Sequence, residues 1–406
     1  MIKKMYIGEF KCLEKEDFEF KPLTILAGKN SSGKSSVLQS ILIAARNCNP
    51  KNRERMYGLI SKYQDLSYSI DIIHEEGSFS CTNISKSEQD ETDTLLYENN
   101  LYYLTSNRIG QEDIAKYSPE YKVGNNGEFL FGTYDILVNK DVCFNLTSNE
   151  IKDLFCKDEL YKVIVEFYKY SNIEYYENAE RHIGENDKEL IDQIKHLRKV
   201  SEIYTTNDFK NFCKDNLEIL ILGRAQAITK IGIILNAYFS YITDLNIILK
   251  IERITSDQVK VYFQQNDINK INPFNLGSGM SYLAKVLIIC FLAKPGDVVM
   301  IENPEIHLHP KAQSRLGEFF AFLASKGIQL IIETHSEHLL DNLRYQIFKE
   351  KFSKDDVIIY YKDSAQTPFE RIFISNDGHF ATPEGKKRAF PKGFFDASLE
   401  QLLEIG

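Results

Sequence analysis

Alternating and continuous apolar runs at the N-terminus predict three short strands, over residues 4–10, 18–20 and 23–27. The last, Leu-Thr-Ile-Leu-Ala, reads as a buried strand. It runs into a Gly/Ser-rich loop. Beyond the loop Val37, Leu38, Ile41, Leu42 and Ala45 share one helical face. From Met56 to about residue 106, Tyr-, Ile- and Ser-rich runs with turn residues predict further strands.

The middle of the chain has a different rhythm. No proline occurs between Pro119 and Pro273, and Ile151, Leu154, Phe155, Val163, Ile164 and Phe167 recur at helical spacing. Residues 150–246 are therefore expected to form an inserted helical subdomain, without the sustained heptads of a long coiled coil. From Leu276 the pattern alternates. A helix is expected after Ser281, a strand at 298–301, a helix at 312–325 and a strand at 328–333. A helix carrying Leu339, Leu340 and Leu343 and a strand at 357–361 follow. Such alternation implies parallel strands covered by helices. A strand at 371–374, a turn at Asn376-Asp377-Gly378 and a helix at 398–403 would close the chain. The expected division is 1–149, an N-terminal lobe; 150–246, the insertion; 247–361, a C-terminal lobe; and 362–406, an extension.

Composition narrows the function. The net charge of −9 argues against a broad, sequence-independent grip on duplex DNA, although Lys386, Lys387, Arg388 and Lys392 form a local basic patch. Seven cysteines lie singly with no CxxC spacing, so neither a zinc ribbon nor a disulfide framework is signalled. The N-terminus meets charge too soon for a signal peptide. The longest wholly apolar run, 286–293, falls well short of the roughly 20 residues a membrane helix needs. A cytoplasmic chain without a membrane partner is expected.

The chemistry is concentrated in four blocks. Residues 28–35, Gly-Lys-Asn-Ser-Ser-Gly-Lys-Ser, match the GxxxxGK[ST] pattern between a buried strand and an amphipathic helix. Gly28 and Gly33 let the backbone curl, so that the amides of Lys29, Asn30, Ser31, Ser32 and Ser36 point at phosphate oxygens. Lys34 would reach the β- and γ-phosphates of ATP, and Ser35 would ligate Mg²⁺. The strand after Asp297 ends in Glu302, Asn303 and Glu305, where such a site needs a carboxylate for the magnesium shell. Asn303 cannot accept a proton, so either Glu305 or the amide's positioning role suffices, or hydrolysis is slow. His307 and His309 have no third ligand at suitable spacing for a metal. Leu276-Gly-Ser-Gly-Met-Ser281 offers Ser278 and Gly279 at a helix start, a second anion-binding turn that a second copy would bring over the γ-phosphate. As a plain helix start, Ser281 would be the cap. His335, at the end of a strand, is placed to meet the γ-phosphate.

In this order the blocks resemble the ABC-type ATPase heads of the SMC/DNA-repair and OLD groups. The motif at 28–35 is similar to their Walker A, LGSGMS to a degenerate signature, MIENPEIHLHP to Walker B with the D-loop, and ETHSEHL to the switch-histidine loop. Residues 301–319, YYLTSNRIG, VGNNGEF and FPKGFFD resemble a prokaryotic ATPase family with a C-terminal domain of unknown function, found in phage-defence operons. The resemblance implies an α/β ABC-type P-loop head: a mixed, largely parallel sheet with covering helices, antiparallel N-terminal strands and a helical insertion. It implies a head-to-tail homodimer, or a higher even oligomer, closing around ATP and Mg²⁺ to control an operon-encoded nuclease or toxin. By position Glu302 stands for the magnesium-binding aspartate and Asn303 for the catalytic glutamate, and Gln64 is a weak candidate for the Q-loop. DNA contact, as in the related repair ATPases, stays open. A nucleotide-gated scaffold with little hydrolysis is the alternative. Nothing resembles the metal-binding nuclease domain of the OLD group.

Overall fold

A strand that is apolar on both faces must be covered on both sides, and residues 23–28 become the middle of the main sheet for that reason. The computed structural model describes residues 1–47, 49–60, 66–75, 77–82, 94–146, 230–265, 268–391 and 394. The strands are β1 (Ile2–Phe10), β2 (Leu13–Glu19), β3 (Leu23–Gly28), β4 (Tyr68–His74), β5 (Gly77–Thr82), β6 (Leu101–Leu104), β7 (Ile114–Lys116) and β8 (Ile247–Arg253). They continue with β9 (Gln258–Gln265), β10 (Ile268–Ile271), β11 (Val298–Glu302), β12 (Gln329–Glu333), β13 (Val357–Lys362), β14 (Glu370–Ile374) and β15 (Phe380–Ala381). The helices are α1 (Lys34–Asn47), α2 (Pro50–Arg55), α3 (Tyr57–Ile60) and α4 (Leu130–Asn139). After them come α5 (Ile231–Thr243), α6 (Ser278–Leu292), α7 (Pro310–Ser325) and α8 (Glu337–Phe348).

The described chain divides into two compact units. The first comprises residues 1–136, 249–263 and 270–406, and it holds every sequence block singled out for chemistry. Its main sheet has the order β15-β14-β13-β3-β12-β11-β6. From β13 to β6 all neighbours are parallel, whereas β14 and β15 add on antiparallel. A second sheet, β2-β1-β4-β5, is antiparallel and contributes Ile2, Met5, Ile7, Phe10, Phe18 and Ile70 to the core around α1. The second unit comprises residues 137–248 and 264–269. Its described part centres on α5, apolar and buried almost all round, which ends at Asp244 in the left-handed conformation.

Several expectations shift in detail. The second strand runs Leu13–Glu19 rather than 18–20, because a turn at Lys11 (φ 56°) starts the hairpin early. The stretch from Met56 first completes helical structure: Asn49 caps α2 by accepting from the Lys51 amide, Pro50 opens it, and α3 follows. Strands begin only at Tyr68. The alternation in Gln-Val-Lys-Val-Tyr-Phe marks β9, a strand in the stretch after the expected insertion to which no element was assigned. Most of the expected helical insertion, the closing helix at 398–403 and Gln64 lie outside the described residues.

One buried amide ties the two sheets together. Gln329, 1% exposed at the start of β12, accepts from the Ile2 amide and donates to the Ile2 carbonyl, both at 2.7 Å. Replacing it by leucine strands both main-chain groups in the core. Gln329→Leu should lower unfolding stability by about 2–4 kcal/mol in urea titration; a loss below about 0.5 kcal/mol would show that this tie is dispensable.

Candidate functional site

The 28–36 loop is shaped by backbone that glycine makes accessible. Gly28 (φ 138°) and Gly33 (φ 108°) flank Ser31, itself at φ 60°. A Cβ on Gly28 would stand 2.1 Å from the Lys362 carbonyl of β13, so no larger residue fits. The Lys29 amide donates to that same carbonyl at 3.2 Å. Lys29, Asn30 and Ser31 are exposed, Ser32 and Ser36 are buried, and Ser35 is half-buried. The exposed Lys29 pairs with Asp363 at 2.7 Å. Lys34, 3% exposed, donates to the carbonyls of Gly28 at 3.1 Å and Lys29 at 2.6 Å, and burial lowers its pKa.

The parallel register brings the acidic ends of two strands beside this loop. Glu302 of β11 lies directly across from Glu333 of β12, and Glu333 across from Leu26 of β3. Glu302, 4% exposed, has both oxygens occupied. Its Oε1 accepts from the Tyr103 hydroxyl at 2.6 Å. Its Oε2 accepts from the Ser106 amide and hydroxyl at 3.0 Å each and from Thr105 at 3.3 Å. Burial and the charge of Glu302 hold the Tyr103 phenol well above its ordinary pKa. The Oε2 of Glu333 is buried without a partner. Burial, reinforced by the charge of Glu302, pushes Glu333 up to about 7.

Asn303 adopts φ 44°, its amide donates to the Glu333 carbonyl at 2.8 Å, and its Oδ1 is buried without a partner. Glu305 accepts from the His335 amide at 2.7 Å, and burial raises its pKa. The His335 imidazole, although partly open to solvent, is lowered to about 4 by the protein packed around it and the charge of Lys34. Arg108, 2% exposed, donates to the carbonyls of Glu302 at 3.0 Å and Asn303 at 3.1 Å, clamping the turn after β11.

Ser278 and Gly279 lie at the other end of that turn. The helix begins at Ser278 with Gly277 as its cap, three residues before the predicted Ser281. Ser281 is inside the helix and buried, so it caps nothing. A Cβ on Gly279 would stand 2.4 Å from the His307 carbonyl, and the His307 ring lies 5.3 Å from that of Tyr282. His309 instead caps α7, accepting from the Lys311 amide. Of the basic patch, Arg388 pairs with Glu370 at 2.5 Å and Lys387 lies 2.9 Å from His379; Lys392 lies outside the described residues.

The loop, Glu302, Asn303, Glu305 and His335 are thus neighbours. A cavity of about 250 Å³ is lined by Ser35, Gln39, Tyr103, Ser106, Asn126 and Glu302 among others. Three buried oxygens without partners, on Asn303, Glu305 and Glu333, make a donor set suited to a hard cation and its water. No three His, Cys, Asp or Glu side chains converge on one ion among the described residues. A cation here needs phosphate or water oxygens as well. Sequence reasoning missed Glu333, Tyr103, Thr105, Ser106 and Arg108. The segment YYLTSNRIG was noticeable, but its aim at Glu302 is a matter of strand order, with β6 beside β11.

The family model of the AAA ATPase domain matches residues 1–340. The chain belongs to this family. The AAA ATPase domain is accordingly an ATP-binding P-loop ATPase with a mixed α/β fold, and the four blocks fall within its matched span. Among curated proteins, the energy-coupling factor transporter ATP-binding protein EcfA2 of Streptococcus pyogenes serotype M5 (strain Manfredo) is 26% identical over 142 residues. That match covers 33% of this chain and 48% of the relative, and EcfA2 of serotype M3 (strain SSI-1) gives the same values. The chain spans about half the length of the curated relatives it matches. Among solved structures, it is similar to the Smc head domain with an extended coiled coil bound to the C-terminal domain of ScpA, from Pyrococcus furiosus. The TM-score is 0.42 and the identity 13%, over 100% of this chain and 99% of that one. The Smc head domain with a coiled coil and joint from Pyrococcus yayanosii gives 0.42 and 12%, over 93% and 98%. Among the described residues no helix is long and apolar enough to cross a membrane.

The displaced pKa values of Glu333 and His335 contribute a pH dependence to stability. Between the ordinary 4.5 and about 7, unfolded Glu333 has lost a proton that the folded residue keeps, so stability falls as pH rises. His335 acts oppositely between about 4 and 6.5, where the unfolded ring binds a proton the folded one refuses. Of these two groups, only Glu333 still changes above pH 6.5. The melting temperature of Glu333→Gln relative to wild type should therefore rise from pH 5 to pH 8, by the equivalent of about 1–3 kcal/mol. An equal offset at both pH values would contradict the assignment.

Proposed function

We propose that this ATPase binds Mg-ATP on residues 28–36, hydrolyses it slowly, and closes head to tail with a second copy around the nucleotide. The observation that carries the reading is the meeting of Ser35 and Glu302 on one cavity, with Lys34 buried beside them. Magnesium, when bound with the nucleotide, neutralises phosphate charge and polarises the transferring group. The amides of Asn30, Ser31, Ser32 and Gly33 would hold the phosphates, whereas those of Lys29 and Ser36 already donate to the carbonyls of Lys362 and Gly33; Lys34 would lend its ammonium to the β- and γ-positions. Ser35 and Glu302 would hold the cation. Glu305, tied to the His335 amide, and the His335 ring would orient water at the γ-phosphate end.

Slow turnover follows from Asn303. An amide stands beside Glu302, and the buried carboxyl of Glu305 is the nearest substitute in the chain. This favours a second reading, a nucleotide-gated scaffold that binds ATP and hydrolyses little. Dimer closure is supported by the turn at 276–279: Gly277 is exposed, with nothing within 4 Å of where a Cβ would stand. A helix start open to solvent suits a partner's phosphate. Following the family resemblance, the closed dimer would regulate an operon-encoded nuclease or toxin in antiviral defence, in the cytoplasm. DNA binding would need local charge, given the acidic total.

Lys34→Ala should weaken ATP binding at least tenfold and abolish phosphate release, and Glu302→Gln should slow release strongly while binding persists. Light scattering should show ATP doubling the mass of Glu302→Gln. Wild-type turnover in Lys34→Ala contradicts the enzyme reading. ATP-driven dimers without measurable phosphate release would favour the scaffold.

A further inference from the structure

The two carboxylates at the ends of β11 and β12 are not equivalent. A carboxylate has about four lone-pair directions. Glu302 receives four donors from β6 and the turn after it, the Tyr103 hydroxyl on Oε1 and Thr105 with both polar groups of Ser106 on Oε2. Its backbone carbonyl is held as well, by Arg108. Glu302 is thus committed toward the β6 side of the sheet. Glu333 is 4% exposed, and its Oε2 meets no donor at all. The free buried oxygen therefore belongs to Glu333, on the side of the sheet where Ser35 and Lys34 lie.

We infer that Glu333, together with Ser35, is the direct protein ligand of the nucleotide's divalent cation, and that Glu302 acts through the cation's water shell. The inference rests on the Mg-ATP reading above and assigns the cation's ligands within it. The Ser35 hydroxyl is close enough to Glu333 to pull its pKa down, and a hydroxyl and a carboxylate oxygen are both hard ligands. Magnesium commonly takes one or two carboxylates, keeps several waters and completes its shell with phosphate oxygens. That fits a place where three acidic side chains do not converge on one ion. Charge points the same way. Glu302, Glu305 and Glu333 are buried together, and the cations close to them are Lys34 and Arg108. A divalent ion beside Glu333 relieves the repulsion from Glu302 and Glu305 that Lys34 offsets only in part.

The test measures binding of a fluorescent, non-hydrolysable ATP analogue in EDTA and in Mg²⁺, for wild type, Glu333→Gln and Lys34→Ala. In wild type Mg²⁺ should tighten binding. In Glu333→Gln that gain should shrink about tenfold, while affinity in EDTA stays equal or improves because one negative charge is gone. Glu333→Asp, whose oxygen is set back by one methylene, should shift preference from Mg²⁺ toward the larger Ca²⁺. A wild-type magnesium gain in Glu333→Gln overturns the inference, as does an unchanged Mg²⁺/Ca²⁺ preference in Glu333→Asp. Failure of the broader reading looks different: wild type would not bind the analogue, or Lys34→Ala would bind it as well as wild type. Should Glu333→Gln not fold, the Asp variant decides alone.

Discussion

Everything at the site depends on the parallel hydrogen-bonded ladder that joins β13, β3, β12 and β11. Its register sets Lys362 against Gly28, Leu26 against Glu333, and Glu333 against Glu302. Parallel strands end at one edge of a sheet, so one edge collects the phosphate loop, two carboxylates and the histidine turn. Shifting any strand by one residue would turn its terminal side chain to the opposite face. The apolar runs of β3, β11 and β12, buried along their whole length, are what hold this register.

That edge is built at the expense of stability. Three carboxylates are buried close together, and Asn303 and Ser31 hold left-handed backbone that costs about 1 kcal/mol or more each. The compensation is local and specific. Four donors cover Glu302, the His335 amide serves Glu305, and Arg108 grips the carbonyls of the strained turn. What is left over, a buried lysine bonded to loop carbonyls and oxygens without donors, has the chemistry of a site arranged for phosphate and a hard cation.

The sequence showed the elements well where period and chemistry agree. The strand–loop–helix at 23–47 and the alternation from 298 to 362 follow from buried runs and amphipathic faces, and both are close to their observed bounds. The start of α6 was misplaced because a glycine cap carries no side-chain signal, whereas Ser281 looks like a cap and is buried inside the helix. β9 was missed because it falls in the stretch between the expected insertion and Leu276 to which no element was assigned, although its own alternation is plain. Glu333 was overlooked for another reason. A glutamate ending a strand is ordinary in sequence, and it becomes distinctive only when register places it between Ser35 and Glu302. Tyr103, Thr105, Ser106 and Arg108 escaped in the same way, since strand order cannot be read locally.

Hydrogen exchange of the amides in residues 28–36, followed with and without a non-hydrolysable ATP analogue and Mg²⁺, addresses the central claim directly. If these main-chain groups grip the triphosphate, their exchange slows strongly on ligand addition, while that of β4 and β5 in the antiparallel sheet does not change. Protection elsewhere in the chain, with the 28–36 amides exchanging as freely as before, would contradict the account.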